Sequence, residues 1–297
     1  SEIGLGTWGL GAGTYGNVAH ERFVATVKSA LEHDVCTFDV SPVWGESESV
    51  VGKEIRERRA DCTIVTRGGA RWQGDSLHTS VDRVFLEADL RGSLERLDVE
   101  AIDVWLLNHP AENELEREDV RAFVDVAKNA GHIREWGVST SSASVARKAL
   151  SLGARAVCGP YNMFDPAFLD AISADLATTG AAFFARSVLE YGLLAGAWAH
   201  DHAFAVGDHR VRRWEPAQLS HRIHATTVLS YLAREPVASL AEASIRWALA
   251  NPLVTSALVG ARSPAQIREA AAASSEPPYL GEEDLVKIPQ LLAALGV

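Results

Sequence analysis

Ile102-Asp103-Val104-Trp105-Leu106-Leu107-Asn108-His109 is a short apolar run that stops on two polar residues, and Leu115 to Ala130 behind it is amphipathic. An apolar run of strand length followed by a stretch of helical period is one βα unit. Outward from it, towards the N-terminus, the unit recurs as Cys62 to Thr66 with Ser80 to Leu97, Thr37 to Val40 with Ser47 to Arg58, and Ile3 to Trp8 with Glu21 to His33. Towards the C-terminus it recurs as Ile133 to Ser139 with Ser142 to Leu152, then Ala156 to Tyr161 with Ala167 to Thr179. Ala181 to Val188 with Leu240 to Leu249, and Ser256 to Gly260 with Pro264 to Ala273, complete the series. Eight such units in 297 residues predict a closed parallel barrel, the α/β (β/α)8 TIM-barrel fold, rather than an open sheet. With no linker or low-complexity tract, residues 1–297 read as one domain.

Three features lie outside the regular repeat. Glu190 to Leu219, after the seventh strand, is long for a βα connection and rich in Gly, His, Asp and Arg, which predicts a lid. A helix near 282 to 295 is the segment available to cap the barrel bottom. In the helix at 80 to 97, Val81, Val84, Phe85, Ala88, Leu94 and Leu97 are expected to form the buried stripe.

Composition restricts function. Apolar residues make up 47% and charged residues 23%, as in a globular chain with a sizeable core, and the net charge of −11 argues against a nucleic-acid partner. Cys36, Cys62 and Cys158 sit far apart inside apolar runs and read as buried free thiols. The opening Ser1-Glu2-Ile3-Gly4-Leu5-Gly6 has no basic segment followed by an apolar stretch, and no apolar run approaches about 18 residues, so no membrane partner and a cytoplasmic setting are expected. A monomer or weak homo-oligomer fits this picture. No metal is expected. His200-Asp201-His202 with His209 comes nearest to a ligand pattern and reads better as surface histidines of the lid.

Chemistry in such barrels sits at the C-terminal strand ends. Asp39 closes the second strand there, Arg67 the third, Asn108 and His109 the fourth, Ser139 and Thr140 the fifth, Tyr161 and Asn162 the sixth, Arg186 and Ser187 the seventh. Singly, Asp39 with Arg67 reads as an ordinary buried ion pair and His109 as a core histidine. Their coincidence at adjacent strand ends points to a site.

The same stretches resemble the aldo-keto reductases across essentially the whole chain. Gly4-Leu5-Gly6-Thr7-Trp8 is similar to the family's first strand. Phe38-Asp39-Val40-Ser41-Pro42-Val43-Trp44-Gly45-Glu46-Ser47-Glu48 with Gly52 resembles its second-strand motif. Ser93-Leu94-x-Arg96-Leu97, Ile102-Asp103, Gly137-Val138-Ser139, Tyr161-Asn162, Gly192-Leu193-Leu194-x-Gly196, Asp208-x-Arg210 and Gly260-Ala261-Arg262-Ser263-Pro264-x-Gln266 follow in order.

The resemblance implies a tetrad of Asp, Tyr, Lys and His, in which tyrosine protonates a carbonyl oxygen as the nicotinamide gives hydride to its carbon. Asp39 and His109 match two members; Trp44 stands at the tyrosine position and Arg67 at the lysine position. An indole N–H is no practical acid near neutral pH, and arginine stays charged. The implied cofactor is NADP(H). Arg262 and Ser263, beside Gly260, match the 2′-phosphate clamp, Gln266 and Glu269 the adenine contacts, Ser187 to Leu189 the pyrophosphate, and Arg186 the ring-stacking position. Thr7, Asp39, Ser139, Thr140 and Cys158 fall at the nicotinamide end, where Thr140, Cys158 and Ala270 depart from the pattern. Trp8, Tyr15 and Trp72, with Trp44 and Trp105, suggest a pocket for a ring, sugar or flat polycyclic small molecule, with Arg67 or Arg71 for an anionic group.

Three functions compete at this point. One is a carbonyl reductase whose proton comes from His109, Tyr15 or Tyr191. Another is a repurposed barrel doing non-redox acid/base chemistry, such as dehydration, epimerisation or cyclisation, through His109. The third is a non-catalytic dinucleotide-binding protein, which a large exposed apolar patch would favour, Trp198 and Trp214 being candidates for it.

Overall fold

The computed structural model describes residues 1–11, 13–274 and 277–297. Side-chain alternation within single strands builds two apolar layers. In the strand Ile102–Asn108, Val104 and Leu106 join Val65, Ala156, Cys158, Phe184 and Leu258 in the barrel interior. The intervening Trp105 and Leu107 join the larger layer between sheet and helices, Trp105 packing on Phe123 with ring centroids 5.2 Å apart. Trp105 is fully buried on that outer side, so it does not line the pocket as expected.

The strands, in chain order, are β1 (Ile3–Gly6), β2 (Thr37–Asp39), β3 (Thr63–Gly68), β4 (Ala70–Gln73), β5 (Ser76–Thr79), β6 (Ile102–Asn108), β7 (Ile133–Ser139), β8 (Ala156–Pro160), β9 (Ala182–Arg186) and β10 (Val254–Val259). All but β4 and β5 close a parallel barrel in the order β1-β10-β9-β8-β7-β6-β3-β2, and helices alternate with its strands. The predicted fold is the observed one. Several helices begin where a serine follows the strand-end loop. The hydroxyls of Ser142, Ser239 and Ser263 accept from the N–H groups of Val145, Glu242 and Gln266, satisfying otherwise unpaired helix donors.

Four details differ from expectation. The stretch after β3 is an antiparallel hairpin, β4 with β5, joined by Gly74 and Asp75, where Gly74 has φ 60°. In the helix Arg83–Leu97 the buried side is Leu86, Asp89, Leu90, Ser93 and Leu97, while Val84 is exposed, so the expected stripe was rotated. The excursion after β9 is not one loop. It holds 3-10 turns at Glu190–Ala195 and His209–Arg212, and the helix Pro216–Leu229 begins inside it. Trp198 and Trp214 pack there with Phe204 around Leu193, Leu219 and Ile223. The C-terminal helix Glu282–Leu295 sets Ile288 and Leu292 against Met163, Leu194 and Leu229, on the flank of the barrel rather than across its bottom.

Candidate active site

Asp39 and Arg67 end up side by side because β2 and β3 are in parallel register, with Asp39 opposite Val65. Their side chains form a buried ion pair from Arg67 Nη2 to Asp39 Oδ1, both about nineteen-twentieths buried. Arg67 Nη1 donates to Ser139 Oγ at 3.3 Å, and Trp44 lays its ring on the guanidinium, 4.4 Å from Cζ to centroid. One cation is therefore held by a carboxylate, a hydroxyl and an indole face. Burial pushes the Asp39 carboxyl above its ordinary range, against the opposing pull of Arg67 and Arg186.

Trp44 reaches this position through a close approach of two loops. A β-carbon at Gly11 would collide with the Trp44 carbonyl, and one at Gly45, where φ is 55°, would collide with the Gly11 carbonyl. Only glycine lets the chain segments after β1 and β2 touch in this way. Thr7 adds a second tie. Its N–H and hydroxyl donate to the Asp39 carbonyl at 3.0 and 2.8 Å, so this hydroxyl holds the strand end in place.

His109 follows β6 with φ 48°, its N–H donating to the Ser139 carbonyl at 2.8 Å. Burial, together with the positive charges of Arg186 and Arg67, holds its imidazole below the ordinary 6.5, so it is neutral at pH 7. Arg186, at the end of β9, carries a buried Nε with no hydrogen-bond partner among the described residues, as does Arg67. Cys158 lies on the barrel's inner face, its thiol pushed up to about 11 by burial and by the Asp39 charge. Thr140 caps the next turn, its N–H bonding the Cys158 carbonyl at 3.0 Å and its hydroxyl accepting from Ser142 N–H at 3.0 Å.

A second cluster sits beside the first. Trp8, Tyr15, Tyr191 and His209 make mutual edge contacts, with Trp8 and His209 4.8 Å apart and Tyr15 and His209 4.7 Å apart. Arg210, gripped by Asp208, lies over Tyr15, Trp198 and Phe204. Arg213 lies 3.2 Å over the Tyr191 ring. The lid thus rests on the loop after β1. Burial raises the Tyr15 hydroxyl well above the ordinary tyrosine range. Ser187, with φ 58°, donates to Tyr191 Oη at 3.4 Å, and Leu189 packs on the outer core layer.

Arg262 spans from β10 to the first loop. Its Nη2 donates to the Gly16 carbonyl at 3.2 Å, its N–H donates to Gln266 Oε1 at 2.7 Å, and its buried Nε has no partner among the described residues. Space above Gly260 is open. Ser263 caps the following helix, and Glu269 accepts from the Ser239 hydroxyl at 2.8 Å.

Trp72, on the hairpin, is half exposed, and its Nε1 donates to the Val43 carbonyl at 3.0 Å, beside Trp44. Arg71 is not free for a substrate anion. Its Nε and Nη2 both close on Asp89 Oδ1, at 3.0 and 2.6 Å. Sequence reasoning passed over Arg213 and over the pairing of Asn162 with Glu190 at 3.1 Å. The polar turn that carries Arg213 was the available signal for it. Among the described residues no three His, Cys, Asp or Glu side chains gather as for a metal.

A family model described as the aldo/keto reductase family matches residues 2–291. This chain belongs to that family. It is 26% identical over 275 residues to aldo-keto reductase YhdN of Bacillus subtilis (strain 168), covering 90% of this chain and 83% of that protein. It is also 28% identical over 308 residues to a probable voltage-gated potassium channel subunit beta of Oryza sativa subsp. japonica, covering 97% of this chain and 92% of that one. Among solved structures, glycerol dehydrogenase AKR11B4 from Gluconobacter oxydans superposes with TM-score 0.87 at 24% identity, over 99% of this chain and 92% of that one. The holo form of aldo-keto reductase AKR11C1 from Bacillus halodurans gives 0.82 at 20% identity, over 98% and 92% of the two chains. At those identities the structures speak for the barrel alone.

Proposed function

We propose that this chain is an NADP(H)-dependent oxidoreductase that reduces the carbonyl of a ring, sugar or polycyclic metabolite without a phenol at the usual proton-donating position. The observation that carries this reading is the arginine centre: Arg67 bound to Asp39 and Ser139 and covered by Trp44, with neutral His109 nearby. Trp44 and Arg67 stand where the family resemblance puts tyrosine and lysine.

The residues present fit a dinucleotide. Arg186 and Arg262 each offer an unpartnered buried Nε, and open space lies above Gly260, beside a helix start capped by Ser263. When bound, the cofactor supplies hydride to the carbonyl carbon. Arg67 meets the negative charge that grows on the carbonyl oxygen with a permanent positive one, prealigned by its three neighbours. His109, neutral, donates one ring N–H to the same oxygen and orients it. Neither group is an acid of useful strength at pH 7, and the buried Tyr15 is a weaker acid than an ordinary phenol, which leaves the Tyr191 phenol of the lid, or water, to protonate the oxygen.

The test combines binding with turnover. NADPH should quench tryptophan fluorescence and raise the melting temperature, with NADH weaker in both, and NADPH should be consumed with a member of a panel of sugar ketones, quinones and aromatic aldehydes. In His109→Gln, kcat should fall about 100-fold with NADPH affinity kept. Bound NADPH with no turnover across the panel would count against reduction. Neutral His109 also favours a second reading, non-redox acid/base chemistry with His109 as base, and turnover that survives removal of the cofactor would put that reading first.

A further inference from the structure

Read along the sequence the cysteines are three separate buried thiols, yet the barrel brings two of them side by side. Thr37 of β2 pairs with Thr63 of β3, and Thr63 N–H donates to the Cys36 carbonyl at 2.8 Å. Cys36 and Cys62 each precede those partners by one residue, so they are neighbours across the ladder. Both face the layer between sheet and helices, with Phe38 and Ile64. Adjacent strands lie about 4.8 Å apart, inside the Cα separation of about 4.4–6.8 Å that a disulfide spans.

The two thiols are not equivalent. Arg58, anchored by its Nη1 on the Leu31 carbonyl at 2.7 Å, brings Nη2 to 3.8 Å from Cys36 Sγ. Cys36 alone of the pair thus has a guanidinium donor at its sulfur, placed to meet negative charge that builds there during a reaction. Burial and the Cys36 sulfur push the Cys62 thiol up to about 12, so it keeps its proton. Cys158 lies in the separate interior cluster of the barrel.

We propose that Cys36 and Cys62 form a peroxide-reactive dithiol at the entry end of β2 and β3, a modification site apart from the Arg67 centre. The Cys36 sulfur attacks one oxygen of hydrogen peroxide, gives up its proton, and the O–O bond breaks. Sulfur keeps that oxygen as a sulfenic acid, and the other oxygen leaves as hydroxide and is protonated to water. The Cys62 sulfur then attacks the Cys36 sulfur, an S–S bond forms, and the sulfenic hydroxyl leaves as a second water with the Cys62 proton. In sum, two thiols and one peroxide give a disulfide and two waters; the sulfurs lose the two electrons that the peroxide gains. The bond staples the two strands whose far ends carry Asp39 and Arg67.

The test treats the whole protein with a small excess of hydrogen peroxide and reads intact mass and peptides. A loss of about 2 Da, a peptide joining Cys36 to Cys62, a Cys158 still free to alkylate after unfolding, and reversal by dithiothreitol are expected. In Cys62→Ser, Cys36 should stop at a sulfenic acid that dimedone traps, and in Cys36→Ser the same dose should leave Cys62 reduced. Oxidation that starts at Cys62, a link between two chains, or two thiols still reduced when methionine is already oxidised each overturn the proposal.

Discussion

Arg67 concentrates the energetics of the mouth in one side chain. Removing it as Arg67→Leu leaves Asp39 buried with no cation in contact, which should cost about 3–5 kcal/mol, read as a lower urea midpoint with an unchanged slope. Trp44→Tyr combined with Arg67→Lys restores a phenol and a titratable ammonium at the positions the family resemblance assigns to them. That double variant should raise kcat on the same carbonyl substrate by about 100-fold and give the rate a basic-limb pH dependence that the parent lacks. A rate unchanged from the parent would show that proton delivery does not limit it. At this scale the sequence was informative about which residues close the strands, because a polar residue ending an apolar run marks itself. It was silent on Trp44 lying over Arg67, since that contact depends on two loops touching through Gly11 and Gly45.

Among the elements, the hairpin of β4 and β5 hangs from one carboxylate. Asp89, on the buried side of the helix Arg83–Leu97, accepts from Gly69 N–H at 2.8 Å and from Arg71 at 2.6 Å. Asp89→Ala should destabilise by about 2–3 kcal/mol, leave the N–H of Gly69 without a partner, and speed hydrogen exchange across 70–79 before the barrel strands. Protection of the hairpin equal to that of the parent would refute the anchoring role. The sequence did hold the signal for this element: Gly74-Asp75 between Trp72 and Leu77 is a two-residue turn between facing side chains. Its strands are four residues each and mostly exposed, so no apolar alternation drew attention to them. The rotated stripe of the next helix has a similar cause. Asp89 and Ser93 belong to its buried side, and a reading that equates burial with apolarity turns the helix towards Val84.

For the molecule as a whole, the barrel was legible because its repeat is carried by buried strands that leave few alternatives. The lid was legible only as an excess of length, because its order comes from cations on aromatic faces rather than from an apolar period. His209 adds neutral ring-edge contacts to Trp8, Tyr15 and Tyr191, and burial lowers its imidazole from the ordinary 6.5 to about 4. The unfolded chain takes up this proton below pH 6.5 and the folded one does not until about pH 4, so stability falls as pH drops through that window. Fluorescence of the tryptophans that contact the lid should report its loosening between those values, and His209→Phe should flatten the profile. Among the described residues the exposed large apolar side chains, Trp72, Leu77, Val84, Val126, Val206, Val211 and Val286, are spread over several elements, with Trp72 facing Leu77 on the hairpin, while Trp198 and Trp214 are packed within the lid.

The loop after β1 is a shared hinge pin. Gly16 holds Arg262, Tyr15 carries Arg210 on its ring, and the Thr14 carbonyl accepts from His209 N–H at 2.9 Å, so two distant chain segments, the lid turn and the end of β10, are moored to three consecutive residues. Displacing that short strip casts off the lid and the β10 arginine together. Admission and escape of anything held beneath them then become a single event.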